Sequence, residues 1–114
     1  MTEWRRYLGA TSNGSRGVFG GGSDSNNPVN IIHYITIATT GNATDFGDLT
    51  VARQGTAACA DSTRGVWMGG NGSNDTIQYV TVASVGNASD FGDLTVARDR
   101  LGQGASDSHG GLGD

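Results

Sequence analysis

Four aspartates form two matched pairs, Asp45 with Asp48 and Asp90 with Asp93, each set around an Asp-Phe-Gly triplet. Carboxylates spaced this closely in turn-rich sequence can ligate Ca²⁺ or act as acid and base on a glycoside. The same residues also cap turns by accepting backbone N–H bonds, which is the expected role where Asp and Asn crowd the loops. Asp-Phe-Gly spells the magnesium motif of kinases too, but the chain has no lysine, so the lysine that chemistry requires is missing. His33 and His109 have no counterparts at matching places and no carboxylate spacing that suggests a metal site or a triad. Cys59, the sole cysteine, excludes an intrachain disulfide and reads as a small half-buried strand residue. The expectation is a protein that is not an enzyme and uses no cofactor or metal.

Binding is the remaining chemistry. Arg16 and Arg64 stand shortly after Asn13 and Asp61, where a guanidinium can form charge-assisted bonds to turn carbonyls or neighbouring carboxylates. A sharper reading lines a ligand site with one such arginine per repeat. Trp67 and the loop from Ser23 to Asn30, with Asp24 and Asn26, are the other places to look for ligand contact. Tryptophan can stack on a sugar face, although core packing is the favoured role for Trp67. Asn13, Asn42, Asn71, Asn74 and Asn87 each begin a formal glycosylation triplet, which Asn/Ser/Gly turns generate readily.

Composition limits what can hold such residues in place. The chain has 114 residues, 20 of them glycine and only 35% apolar, too few to fill a conventional core. There is no Gly-X-Y period and one proline, and the β-branched and aromatic residues recur at regular places, which argues for a folded, turn-rich chain. Seven arginines against eleven acidic residues give a formal net charge of -4, without the positive excess of a nucleic-acid footprint. No apolar stretch reaches membrane-spanning length, and Met1 to Arg6 lacks the apolar core of a signal peptide. Neither nucleic-acid binding nor membrane insertion is expected.

The dominant signal is an internal repeat. Gly41-Asn42-Ala43-Thr44-Asp45-Phe46-Gly47-Asp48-Leu49-Thr50-Val51-Ala52-Arg53 returns 45 residues later as Gly86 to Arg98 with a single change, Thr44 to Ser89. Upstream, Ser15-Arg16-Gly17-Val18-Phe19 returns 48 residues later as Thr63-Arg64-Gly65-Val66-Trp67. The difference is absorbed in Ser23 to Asn30, a loop by its Asp, Ser, Asn and Pro content. A third copy begins at Leu101 and continues for half a repeat, with Asp107 to Leu112 following Asp61 to Val66. Ile31 to Ala38 and Thr76 to Ala83 are rich in β-branched and aromatic residues and read as strands. Alternation puts Ile32, Tyr34, Thr36 and Ala38 on one face and Ile31, His33, Ile35 and Ile37 on the other, and apolar residues on both faces predict that both are covered. Shorter strands are predicted at Leu8 to Ser12, Gly17 to Gly20 and Asp48 to Ala52, with equivalents in the second copy and essentially no helix. Four short strands in roughly 45 residues match a propeller blade.

These residues resemble kelch repeats. Val18-Phe19-Gly20-Gly21 and Val66-Trp67-Met68-Gly69-Gly70 look like the double-glycine strand end of that family, Tyr34 and Tyr79 match its following tyrosine, and Arg53 and Arg98 match the arginine leading into the next blade. Phe46 and Phe91 stand where kelch repeats usually carry tryptophan. The near-identical copies also resemble kelch-like repeats of phage and environmental viral structural proteins, tail-fibre chains included. The resemblance implies an all-β fold of tandem four-stranded antiparallel β-propeller blades, closed or extended by oligomerisation. It divides the chain into the end of a preceding blade at 1–9, blades at 10–53 and 54–98, and a partial third blade with a Gly-rich tail at 99–114.

Two blades and a fraction do not close a ring of four to eight. Self-assembly is therefore expected, as a homo-oligomer such as a trimer of six blades or as a head-to-tail filament. The function this implies is a structural and binding module of a virion or extracellular surface, made without a cleaved signal peptide, whose loops bind a glycan or a cell-surface protein. The alternatives are a propeller-type glycan hydrolase or lyase using Asp48 or Asp93, and an assembly-only subunit without a ligand. The double glycines supply positive φ and close backbone approach. Replacing Gly21 or Gly69 by valine is expected to abolish folding, seen as loss of a cooperative thermal transition; wild-type stability in either variant would remove the blade assignment.

Overall fold

A computed structural model describes residues 4–25, 27–72 and 74–99. Asn26 and the partial third repeat lie outside the described residues. Eight strands run in chain order: β1 (Gly9–Ser12), β2 (Arg16–Gly20), β3 (Val29–Thr36), β4 (Thr44–Arg53), β5 (Ala57–Ala60), β6 (Arg64–Met68), β7 (Asn74–Thr81) and β8 (Ser89–Arg98). They form two four-stranded antiparallel sheets, ordered β1-β2-β3-β4 and β5-β6-β7-β8, each strand paired with its chain neighbour. Among the described residues there is no helix, and so none long and apolar enough to cross a membrane.

The sequence of each repeat dictates its sheet in local steps. Asn13 and Asp61 each turn the chain between the first two strands by accepting two backbone N–H bonds, from Ser15 and Arg16 and from Thr63 and Arg64. Those bonds from Arg64 and Thr63 hold the Asp61 carboxyl below the usual carboxylate range. On the outer strand the pairing skips a residue in each copy. Ile32 faces Gly47 while His33 faces Asp45, leaving Phe46 as the extra residue, and Phe91 is left over in the same way between Gly92 and Asp90. A bulge of this kind re-aims a side chain. Here it brings Phe46 edge-on to Tyr34, with ring centroids 5.7 Å apart, and Phe91 edge-on to Tyr79 at 6.0 Å.

The predicted double glycine is shifted by one residue in the first copy. The positive-φ pair is Gly21-Gly22, at +70° and +93°, matching Gly69-Gly70 at +67° and +121°. Gly20 instead ends β2 as ordinary strand, opposite Gly9. A side chain at Gly21 would also meet the Arg53 carbonyl at 2.7 Å, where the chain enters the second repeat.

The two sheets stack face to face and approach most closely at β1 and β5. Register pairing places Thr11, Val18, Ile32 and Tyr34 of the first sheet on the buried side, opposite Trp67, Gln78, Val80 and Val82 of the second. Trp67 is fully buried in this layer, and its Nε1 donates to the Gly9 carbonyl at 3.1 Å. Glycine at positions 9 and 20 makes room for it, since a Cβ there would come within 2.8 and 2.9 Å of the indole. Of the two faces of each sheet, one is covered within the described residues. Each sheet buries one face against the other, and on the far side of the first sheet His33 is buried, Phe19 and Ile35 are half-buried and Ile37 is exposed. The physical reason is that two stacked layers have only one interface between them.

Trp67→Ala removes the largest side chain of that interface together with its hydrogen bond. It is expected to lower the unfolding free energy by about 3–5 kcal/mol, measured by denaturant titration followed by tryptophan-independent circular dichroism.

Candidate functional site

The site with the most chemistry invested in it is the seam between the sheets. Arg16 lies over the Tyr34 ring, its guanidinium carbon 4.5 Å from the centroid, and Nη1 donates to the Val82 carbonyl of the second sheet at 2.9 Å. Stacking holds the planar guanidinium in one orientation so that the cross-sheet bond forms at little entropic cost. Further along, the Gln78 side-chain oxygen, fully buried, accepts from the Thr50 backbone N–H at 2.6 Å and from Thr50 Oγ1 at 2.8 Å. At the outer edge the loop before β8 lies along β4. Gly86 N–H donates to the Phe46 carbonyl and Ala88 N–H to the Asp48 carbonyl, both at 2.8 Å, while the Asn87 side-chain oxygen accepts from the Asp48 N–H at 3.0 Å. The bulge at Phe46 thus exposes backbone groups that this loop satisfies.

Apart from Gln78, whose place in the first copy is taken by His33, these donors and acceptors recur in the other copy. Arg64 stacks on Tyr79 at 4.4 Å as Arg16 does on Tyr34, yet it is exposed, and among the described residues no further sheet offers it a carbonyl. Phe46 is 3% exposed and its twin Phe91 54%; Val82 is fully buried and its counterpart Ile37 is 52% exposed. Leu49 is buried whereas Leu94 is half-buried. Among the described residues one face of each kind is left open: the β5–β8 face that corresponds to the covered side of β1–β4, and the β1–β4 face that corresponds to the covered side of β5–β8.

The other sequence-derived sites fare differently. Trp67 is not a ligand contact, because its ring is sealed between the sheets. The exposed tryptophan is Trp4, 66% accessible, with the Arg6 guanidinium 5.8 Å from its ring and 5.4 Å from the exposed Tyr7 ring. Arg6 also donates to the Ser25 carbonyl at 2.6 Å, so this aromatic group adjoins the loop that carries exposed Asp24. The resemblance assigned residues 1–9 to the end of a preceding blade and named none of them as a ligand contact. Arg16, read as either a turn-bonding or a ligand-binding arginine, donates instead to a carbonyl of the other sheet. Arg53 reaches the Asn71 carbonyl at 3.0 Å and, with Gly22 N–H donating to its own carbonyl, ties the two repeats together at their junction; Gly70 N–H donates to the Arg98 carbonyl in the same way.

Asp45, Asp90 and Asp93 are exposed and Asp48 half-buried along the outer strands. Among the described residues no three His, Cys, Asp or Glu side chains gather as metal ligands. Burial, with Asp61 nearby, pushes the Cys59 thiol up and away from the reactive thiolate. Of the triplet asparagines, Asn13, Asn71, Asn74 and Asn87 use their side-chain oxygens to hold backbone N–H groups.

Fold and seam together define an all-β repeat protein of two stacked four-stranded sheets, in which the same surface is interior in one copy and exterior in the other. No protein-family model matches the chain, and no curated protein matches it in sequence.

Gln78→Leu would fill the same space but leave the Thr50 N–H and hydroxyl facing an apolar group. It is expected to cost about 1–3 kcal/mol in chemical denaturation, with Thr50→Val in the same background recovering part of the loss by removing the hydroxyl.

Proposed function

We propose that the chain is a non-enzymatic structural module whose sheets are kelch-like propeller blades and whose function is to assemble through their faces. The observation that carries this reading is the pair of open faces, each built like a face that is buried elsewhere in the same chain. Sheets that approach most closely at their first strands, β1 and β5, support a radial arrangement of blades. The exposed Phe91 ring is apolar surface that another layer would bury, and the Arg64 stack leaves a guanidinium placed to donate to that layer, as repeat proteins bury their faces against neighbours. The loops then lie at the rim of a larger particle. Trp4, Arg6, Tyr7 and Asp24 form a surface of aromatic and charged groups suited to a glycan or to a protein on a cell surface, and assembly multiplies such contacts into avidity. A fibre or surface particle, as the viral resemblance implies, is the setting in which this design is useful.

Light scattering across a dilution series tests the assembly. A discrete oligomer totalling four to eight blades, or particles that grow with concentration, is expected. A folded monomer at every concentration overturns the proposal.

A further inference from the structure

We infer that assembly is head-to-tail between copies of this chain, with the open β1–β4 face of one copy seated on the open β5–β8 face of the next in the register of the internal seam. The inference rests on the assembly reading above and specifies its interface. Its first support is that every group of the internal seam has a counterpart in the right place. Gly41-Asn42-Ala43 repeats Gly86-Asn87-Ala88, and the Phe91 and Asp93 backbone repeats that of Phe46 and Asp48. A side chain at Gly47 would collide with the Gly86 carbonyl, whereas one at Gly92 meets no described atom within 4 Å. The seat for the loop is present and open.

The second support is where the copies differ. Internally, Trp67 packs against Gly9 and Gly20, which have no side chains to oppose it. At the equivalent places of the open faces the indole is replaced by the smaller Phe19, and the two glycines by Ala57 and Met68. One side of the contact shrinks while the other grows, the exchange that keeps a packed layer filled. A face meeting an unrelated partner has no reason to show that compensation. Likewise Gln78 is replaced by His33, whose ring can accept a hydrogen bond from Thr95 where Gln78 accepts from Thr50. Arg64, already stacked on Tyr79, is aimed to donate to the Ile37 carbonyl of the incoming copy as Arg16 donates to Val82.

The two faces are different surfaces, so the contact is heterologous and two single-face variants can test it. Ile37→Glu blocks one face and Phe91→Glu the other; both positions are more than half exposed, so folding is expected to survive, as checked by circular dichroism. If Phe91→Glu does not fold, Thr95→Arg at an exposed position of β8 takes its place. Each variant alone is expected to dissociate at concentrations roughly 100-fold or more above those that dissociate the wild type, because a charge is driven into an apolar contact. Their equimolar mixture is expected to give a particle of two chains and nothing larger, since each contributes one intact face. A mixture that stays monomeric, or a homodimer of either variant alone, overturns the head-to-tail interface while wild-type assembly stands. A wild-type chain that never assembles removes the assembly reading and this interface with it.

Discussion

The stacking of Trp67 on two side-chain-free positions of the neighbouring sheet is the contact around which the rest is arranged. A chain with 20 glycines cannot build a thick core, so its apolar material is concentrated in one layer. Gly9 and Gly20 let the sheets come together there, and the indole fills the space and satisfies its own N–H on the Gly9 carbonyl. Once that distance is set, the surrounding contacts fall within reach: Gln78 under Thr50, Arg16 on Val82, and the loop of Gly86 to Ala88 on β4. Separating the sheets at Trp67 would lengthen all of them together, which makes the seam cooperative.

The outer edge shows how little side-chain chemistry the seam needs. Two of its bonds run backbone to backbone and one uses a single asparagine oxygen. Such an edge tolerates substitution of most side chains but not of the bulge and glycine geometry that aims the carbonyls. The bulge and the glycine geometry are the same in both outer blocks, while the loops between strands differ in length. Rigidity belongs to the seam and variety to the rim, the division that suits a frame displaying binding loops.

The strand number and their order in each repeat were legible because period-two β-branched runs and Asn- or Asp-centred turns are local signals. Core packing was also the favoured reading of Trp67, and its ring is fully buried. The inter-sheet bonds were not legible. That Arg16 reaches Val82 depends on which sheet lies above it, and no spacing within a repeat encodes a partner 66 residues away. The double glycine was placed one residue early because Gly20, Gly21 and Gly22 are alike in sequence. Only φ separates the strand end from the turn. Apolar residues on both sides of a strand state that two faces want cover, and they do not state that the same molecule supplies it.

That distinction is also what gives the exposed residues meaning. Scattered surface apolar groups are ordinary, and Phe91 or Ile37 alone would carry no information. They carry it here because each has an internal twin in a known environment, Phe46 beside Tyr34 and Val82 beneath Arg16. The repeat thus acts as its own control: the Arg–Tyr and Phe–Tyr stacks are seen once covered and once exposed. The changes between copies, Trp67 to Phe19 and Gly20 to Met68, are opposite in volume and fall on surfaces that meet only if a second layer is added. A sheet left permanently bare would favour polar replacement at those places. Retaining bulk there, redistributed between the two faces, is what an interface completed by another layer requires.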